Sequence, residues 1–322
     1  MRHLLTVADL GVEEIEGLFD LTDKLKREVE DGIKHPILAG KTLGMIFQKS
    51  STRTRVSFET GTFQLGGHAL FLSSNDIQLG RGETVSDTAK TLSRYVDGIM
   101  IRTYDHSDVE ELAEAGSIPV INGLTDLLHP CQILADLYTI QEKKGNLKGK
   151  KLTYIGDGNN IANSLLLGTT KVGMDITICT PAGYEPDSEI IKEAKTQAEM
   201  SGSQVEILDD PVVAVEGADA IYTDTWASMG DEAEKAERLK AFEGFQVTTE
   251  LMNKAKDDVI FLHCLPAYRG QEMTAEVIDG PQSVVFDEAE NRMHIQKAIM
   301  VKLMEENSQN MQESNEYKQN IS

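Results

Sequence analysis

"TLGMIFQKSSTRTRVSFETGTFQLGG", residues 42–67, runs from an apolar stretch into a hydroxyl-rich turn carrying Arg53 and Arg55, and then into a helical pattern. The apolar part, TLGMIF, has the length and composition of a buried strand. The part after Ser51 reads as a helix with Val56 and Phe63 on its apolar side and Phe58 as a third candidate, closed by Gly66 and Gly67. A strand that feeds a helix through a short turn is half of a βαβ unit, so this stretch predicts a parallel sheet.

The pattern continues outward from there. HALFLS, DGIMIRT and IPVIN read as further strands, separated by segments with helical spacing such as TVSDTAKTLSRYV. Before them, Val12, Ile15, Leu18, Phe19, Leu25 and Val29 recur at the spacing of an amphipathic helix. QEKKGNLKGKK, residues 141–151, loses apolar residues and reads as a junction. Beyond it KLTYIGDGNN, MDITICT, SQVEILD, ADAIYTD and VIFLHCLP restart the alternation. The expected fold is α/β, with two parallel-sheet domains and a cleft between them. The expected boundaries are 1–140 and 147–287, with a C-terminal helix at about 288–306 packing back on the first domain and a polar tail at 307–322. The 322 residues suit two domains better than one.

Composition narrows the function classes. A hydrophobic content of 40% and a charged content of 26% are those of an ordinary globular chain. The net charge of -22 argues against a nucleic-acid footprint, which needs a basic face. No apolar run approaches the ~18 residues of a membrane span, and MRHLLTVADLGVEEIEG turns acidic too early for a signal peptide, so a cytoplasmic location is expected. Cys131, Cys179 and Cys264 have neither zinc spacing nor an even count, and free thiols are expected.

Against this acidic background the STRTR turn stands out. Backbone N–H groups at a helix start, the positive end of the helix dipole and the side chains of Ser51, Thr52, Arg53 and Thr54 can converge on one anion. A plain Ser/Thr cap with solvated arginines is the competing reading, and the motif alone leaves the two even. Arg102 ends a strand, where ligands of parallel sheets bind. His129 and Gln132 of HPCQ lie where a loop meets a helix; an imidazole beside an amide can polarise a carbonyl oxygen. YIGDGNN resembles a dinucleotide turn but lacks its third glycine, and Asn159 and Asn160 can instead hydrogen-bond a small polar substrate. Asp224 ends another strand and can hold an ammonium group. Cys264 of HCLP, taken alone, reads as core filler, the commonest fate of a free cysteine, ahead of a cleft residue near the reacting atom.

Taken in order, S-T-R-T-R, H-P-x-Q, the Asp of D-x-x-x-S-M-G, and H-C-L-P resemble the transcarbamylase family, over roughly residues 4–305. The last two motifs are similar to those of its ornithine-using members. The resemblance implies transfer of the carbamoyl group of carbamoyl phosphate to the δ-amine of L-ornithine, giving citrulline and phosphate, with no cofactor and no metal. It implies that Ser51, Thr52, Arg53, Thr54, Gln78, Arg102, His129, Gln132, Cys264, Leu265 and Arg292 bind carbamoyl phosphate, and that Asn160, Asp224, Ser228 and Met229 bind ornithine. Arg102, His129, Cys264 and Asp224 are the implied catalytic groups. Family members are trimers or multiples of trimers, and Gln78 matches a position that reaches into a neighbouring subunit. No nucleic-acid or membrane partner is implied. Gln48, where many relatives carry Glu, and Cys131 in HPCQ are departures that remove no substrate contact. Putrescine, aspartate or an acylated ornithine are the rival acceptors, and a nicotinamide oxidoreductase or a non-catalytic binding protein are the readings from other classes.

Overall fold

A computed structural model describes residues 2–79, 82–227 and 235–305. The chain divides into two compact units, one formed by Met1–Cys131 with Arg292–Ser322, the other by Gln132–Asn291. The elements, in chain order, are α1 (Val12–Glu30), β1 (Thr42–Phe47), α2 (Thr52–Gln64), β2 (His68–Ser73), α3 (Val85–Leu92), β3 (Gly98–Arg102), α4 (His106–Ala115), β4 (Val120–Leu124) and α5 (Pro130–Lys144). They continue as β5 (Lys151–Ile155), α6 (Asn160–Lys171), β6 (Asp175–Cys179), α7 (Ser188–Ser201), β7 (Val205–Leu208), α8 (Pro211–Ala214) and β8 (Ala220–Thr223). The last are α9 (Lys235–Ala241), α10 (Thr249–Met252), β9 (Ile260–Leu262), α11 (Ala275–Ile278) and α12 (Val285–Met304).

The first unit holds a four-stranded sheet in the order β2-β1-β3-β4, parallel throughout. β1, β3 and β4 are buried along almost their whole length, as strands of a covered parallel sheet are. Ile46, Ile99, Ile101, Val109, Leu112 and Val120 are core residues of this unit. β2 is an edge strand, and Leu70 and Phe71 on it are exposed. Phe58 is the apolar anchor of α2, while Val56 and Phe63 face solvent, so the helix is turned from the expected orientation. The physical reason lies in the small residues Gly61 and Thr62, which let α12 approach on the buried side.

The second unit holds five parallel strands in the order β7-β6-β5-β8-β9. β5 and β8, where the order turns outward in both directions, end at Ile155 and Thr223. Open parallel sheets bind ligands at the carboxyl ends of strands at such a switch point. Gly158, just beyond β5, is there for space: a Cβ would stand 2.3 Å from the Glu185 carbonyl carbon and the Pro186 nitrogen. The glycine-containing turn of YIGDGNN is thus explained by chain packing.

α12 starts at Val285, three residues before its expected start, and its later part belongs to the first unit, where Arg292 and Lys297 bond to α2. No helix of the described residues is long and apolar enough to cross a membrane.

Candidate active site

In the first unit, the turn after β1 delivers the chain to the start of α2. Ser51 caps that helix: its Oγ accepts from the Thr54 amide at 3.2 Å, and its hydroxyl lies 3.1 Å from Thr54 Oγ1. Such a cap contributes about 1 kcal/mol. It also sets Thr52 and Arg53 on the first turn, with the positive dipole end beside them. Arg292 Nη2 reaches back from α12 and donates to Thr54 Oγ1 at 2.5 Å. Arg102 closes β3 with only 7% of its surface exposed.

His129 precedes α5 and is 4% exposed. Burial, then the charges of Arg292, Arg102 and Arg53, hold its imidazole well below the usual histidine range. Three guanidinium charges acting on one imidazole are an arrangement that can accommodate a strongly anionic ligand. Lys49 adds to the same turn: its ammonium pairs with Asp126 and lies 4.4 Å from the Tyr104 ring centre. Gln78 is exposed, beyond the end of β2.

In the second unit, Gln132 is 1% exposed, and its Nε2 donates to Asp136 at 2.8 Å and to Glu288 at 2.9 Å. Both amide hydrogens are thereby committed. Its carbonyl oxygen, also buried, has no hydrogen-bond partner among the described residues.

Asp224 follows β8 directly and is 7% exposed. Its Oδ2 accepts from Asn159 Nδ2 at 3.0 Å and its Oδ1 from the Cys264 thiol at 3.2 Å. Both donors are neutral, and among the described residues no lysine, arginine or histidine forms an ion pair with this carboxylate. A buried carboxylate held by neutral donors is a place for a cationic ligand, since burying charge is costly until it is paired. Asn159 caps α6 by accepting from the Ile161 and Ala162 amides, which fixes its amide group toward Asp224. Asn160 is the half-buried first residue of that helix.

Cys264 and Leu265 follow β9. Burial, then the charges of Asp224 and Glu288, push the Cys264 thiol far above the ordinary range. The raised pKa favours the thiol form, which donates its hydrogen bond to Asp224. Leu265 adopts φ 58, a left-handed conformation that costs a bulky residue on the order of 1–3 kcal/mol. A buried network holds it there. Leu265 N donates to His263 Nδ1 at 2.8 Å, so the ring proton sits on Nε2, 3.2 Å from Glu272 Oε1. The His263 amide donates to Glu288 at 3.0 Å. Asp224, His263 and Cys264 each bring a ligand-type atom within 4.8 Å of the others. Both imidazole nitrogens of that group are committed to protein partners, and the thiol to Asp224.

Sequence reasoning passed over Asp157 and Arg238. Arg238 of α9 lies 2.9 Å from Asp157 Oδ2 and donates to the Trp226 carbonyl at 3.1 Å, pinning the turn that carries Asn159. Only the pairing of a late Arg with an early Asp signals this, and no spacing rule finds it. Ser228 and Met229 lie outside the described residues.

Residues 2–142 match the family described as aspartate/ornithine carbamoyltransferase, carbamoyl-P binding domain, and residues 148–303 match its Asp/Orn binding domain. The chain is 61% identical to an ornithine carbamoyltransferase of Oceanobacillus iheyensis, over 94% of both chains. It is 62% identical to one of Caldicellulosiruptor saccharolyticus, over 94% of this chain and 98% of the relative. The solved ornithine carbamoyltransferase of Pyrococcus furiosus superposes with a TM-score of 0.92 at 56% identity, covering 94% of this chain and 97% of that one. A curated relative from that organism carries the name ornithine carbamoyltransferase, anabolic. The chain belongs to the aspartate/ornithine carbamoyltransferase family.

Proposed function

We propose that this member of the family transfers the carbamoyl group of carbamoyl phosphate to the δ-amine of L-ornithine, yielding L-citrulline and phosphate, as a step of arginine biosynthesis. The observation that carries an ammonium-bearing acceptor is Asp224, a buried carboxylate held by neutral donors, and the 61–62% identity to ornithine carbamoyltransferases supports ornithine among such acceptors. Ornithine brings an α-ammonium group to Asp224. Asn160, with Ser228 and Met229, takes the rest of the amino-acid end.

Carbamoyl phosphate takes most of its contacts from the first unit. Its phosphate lies at the start of α2, on Ser51, Thr52, Arg53 and Thr54, with Arg102 and Arg292 supplying further charge. Thr54, Arg102 and His129 face the carbonyl oxygen. The δ-amine attacks the carbonyl carbon, the oxygen gains negative charge, and these donors stabilise it; one such donor contributes on the order of 3 kcal/mol to the barrier. His129 serves as a neutral donor, its ring kept uncharged by the surrounding arginines. The C–O bond to phosphate then breaks, and the departing phosphate takes the amine proton. No general base is called for, but the amine must arrive neutral, although an alkylamine has a pKa of about 10 in water. Cys264 and the Leu265 backbone lie beside that amine, and Gln132 completes the carbamoyl phosphate contacts by its carbonyl oxygen, the one amide atom left over.

The enzyme works as a cytoplasmic homotrimer or a multiple of trimers, with Gln78 entering a neighbouring subunit's site. In support, Val56 and Phe63 on α2 and Leu70 and Phe71 on the edge strand β2 form exposed apolar surface on the same unit as Gln78.

The test compares ornithine, putrescine and aspartate as acceptors with carbamoyl phosphate, measuring product and phosphate release. Turnover with ornithine alone is expected. A preference for putrescine would overturn the choice of ornithine and the roles of Ser228 and Met229, because putrescine keeps an ammonium for Asp224 but carries no α-carboxylate.

A further inference from the structure

We propose that Lys297 is a positioning residue for the phosphate cradle: it holds the far end of α2, and its proton is linked to binding of the dianion at the near end. The inference rests on the carbamoyl phosphate reading above and concerns a residue remote from the reacting atoms.

α12 crosses α2 at Gly61, within the first unit. A Cβ at Gly61 would stand 3.1 Å from Lys297 Cγ, 3.3 Å from Met300 Cε and 3.8 Å from the Met293 carbonyl oxygen. On one side of this crossing Arg292 donates to Thr54 Oγ1, at the cradle. On the other, Lys297 Nζ donates to Gln64 Oε1 at 3.0 Å, at the last residue of α2. Thr62 adds a contact from its hydroxyl to Met300 sulfur at 3.3 Å. One helix therefore grips the other at both ends, and the grip is polar in each case.

Lys297 is 0% exposed, a rare setting for a lysine. Its second neighbour is His35 Nε2 at 3.4 Å, in the segment that follows α1. His35 Nδ1 lies 3.1 Å from Glu28 Oε2, and Glu28 is 3.9 Å from Lys24. Burial, then the Lys297 charge, lower the His35 pKa, so the ring is a neutral acceptor toward the ammonium. The charged group acting on Lys297 is thus Glu28 of α1, itself near Lys24, with His35 behind α1 and uncharged Gln64 on α2. Burial brings Lys297 down to about 8, with Glu28 opposing.

Burial thus makes Lys297 a cation that gives up its proton more readily than an exposed lysine. A charged ammonium makes a stronger bond to Gln64 than a neutral amine does. A dianion bound at the start of α2 acts on that charge through a poorly screened interior. Binding the dianion then raises the affinity of Lys297 for its proton, and by reciprocity the protonated form binds the dianion more tightly. An affinity loss of about threefold between pH 7 and pH 9.5 corresponds to uptake of roughly 0.3 proton per site near pH 8.

The experiment is titration calorimetry of freshly prepared carbamoyl phosphate into the full chain near pH 8, in buffers of different ionisation enthalpy, for wild type and Lys297→Met. Proton uptake in wild type, lost in Lys297→Met, is expected. Equal uptake in both overturns the inference, and leaves the functional reading intact. Absence of any binding by wild type overturns the functional reading and the inference with it. Should Lys297→Met fail to fold, Gln64→Leu decides: loss of the acceptor should move the uptake maximum to lower pH, and an unmoved maximum overturns the inference.

Discussion

Replacing Asp224 by asparagine changes little in shape and much in charge. The carboxylate is 7% exposed, and both of its oxygens accept hydrogen bonds, one from Asn159 and one from the Cys264 thiol. An amide keeps one acceptor and turns an N–H donor toward the other donor, so one of those bonds is lost. More important, the negative charge opposite the substrate ammonium disappears. A hydrogen bond to a charged group is worth ~1.5–3 kcal/mol. At 1.36 kcal/mol per factor of ten, Asp224→Asn should lower kcat/KM for ornithine roughly 15- to 150-fold. Most of the groups assigned to carbamoyl phosphate belong to the other unit, so its binding should fall far less, by about fivefold at most. Steady-state citrulline formation gives the first quantity and calorimetry with carbamoyl phosphate gives the second. An unchanged kcat/KM for ornithine in a folded variant would refute the reasoning, as would an equal loss in binding of both substrates.

Cys264→Ser should retain activity within about tenfold, because serine preserves the donor to Asp224 and the thiol is not the nucleophile. Wild-type Cys264 should correspondingly resist iodoacetamide at pH 8, which mass spectrometry of the labelled chain reads out. His129 should remain unprotonated at pH 6: its folded pKa is depressed, so the unfolded chain binds more protons just below the ordinary value of 6.5 and stability falls as pH drops through that window. Urea denaturation from pH 7 to pH 5 should show a shallower decline in His129→Asn, and an unaltered slope would count against a neutral ring. Gly158→Ala places a Cβ 2.3 Å from the backbone of Glu185 and Pro186, and should cost about 1–3 kcal/mol by thermal or chemical denaturation.

Much of the architecture was readable from periodicity, for physical reasons that particular elements show. TLGMIF, DITIC and AIYT are buried along nearly their full length, and such apolar runs flanked by turns can hardly be anything but inner strands of a parallel sheet. α2 was harder. Val56 and Phe63 suggested its inner face, whereas Phe58, Gly61 and Thr62 point inward, since close approach of α12 favours small residues over large ones. Asp224 could be picked out as a carboxylate at a strand end, but its partners Asn159 and Cys264 stand 65 and 40 positions away, and only the fold brings them together. Gln132 was legible as a polar residue near a helix start; its commitment to Asp136 and Glu288 was not, because Glu288 lies 156 positions along the chain. Lys297 illustrates the same limit, a charged residue in a helical stretch that composition would place on the surface.

The most direct measurement is a ¹³C NMR time course with ¹³C-labelled carbamoyl phosphate and ornithine, for wild type and Arg53→Ala. Transfer of the label to the ureido carbon of citrulline by wild type, with Arg53→Ala slowed by at least about 100-fold, is the expected result. Label that leaves only as spontaneous breakdown products while ornithine stays unmodified would contradict carbamoyl transfer itself.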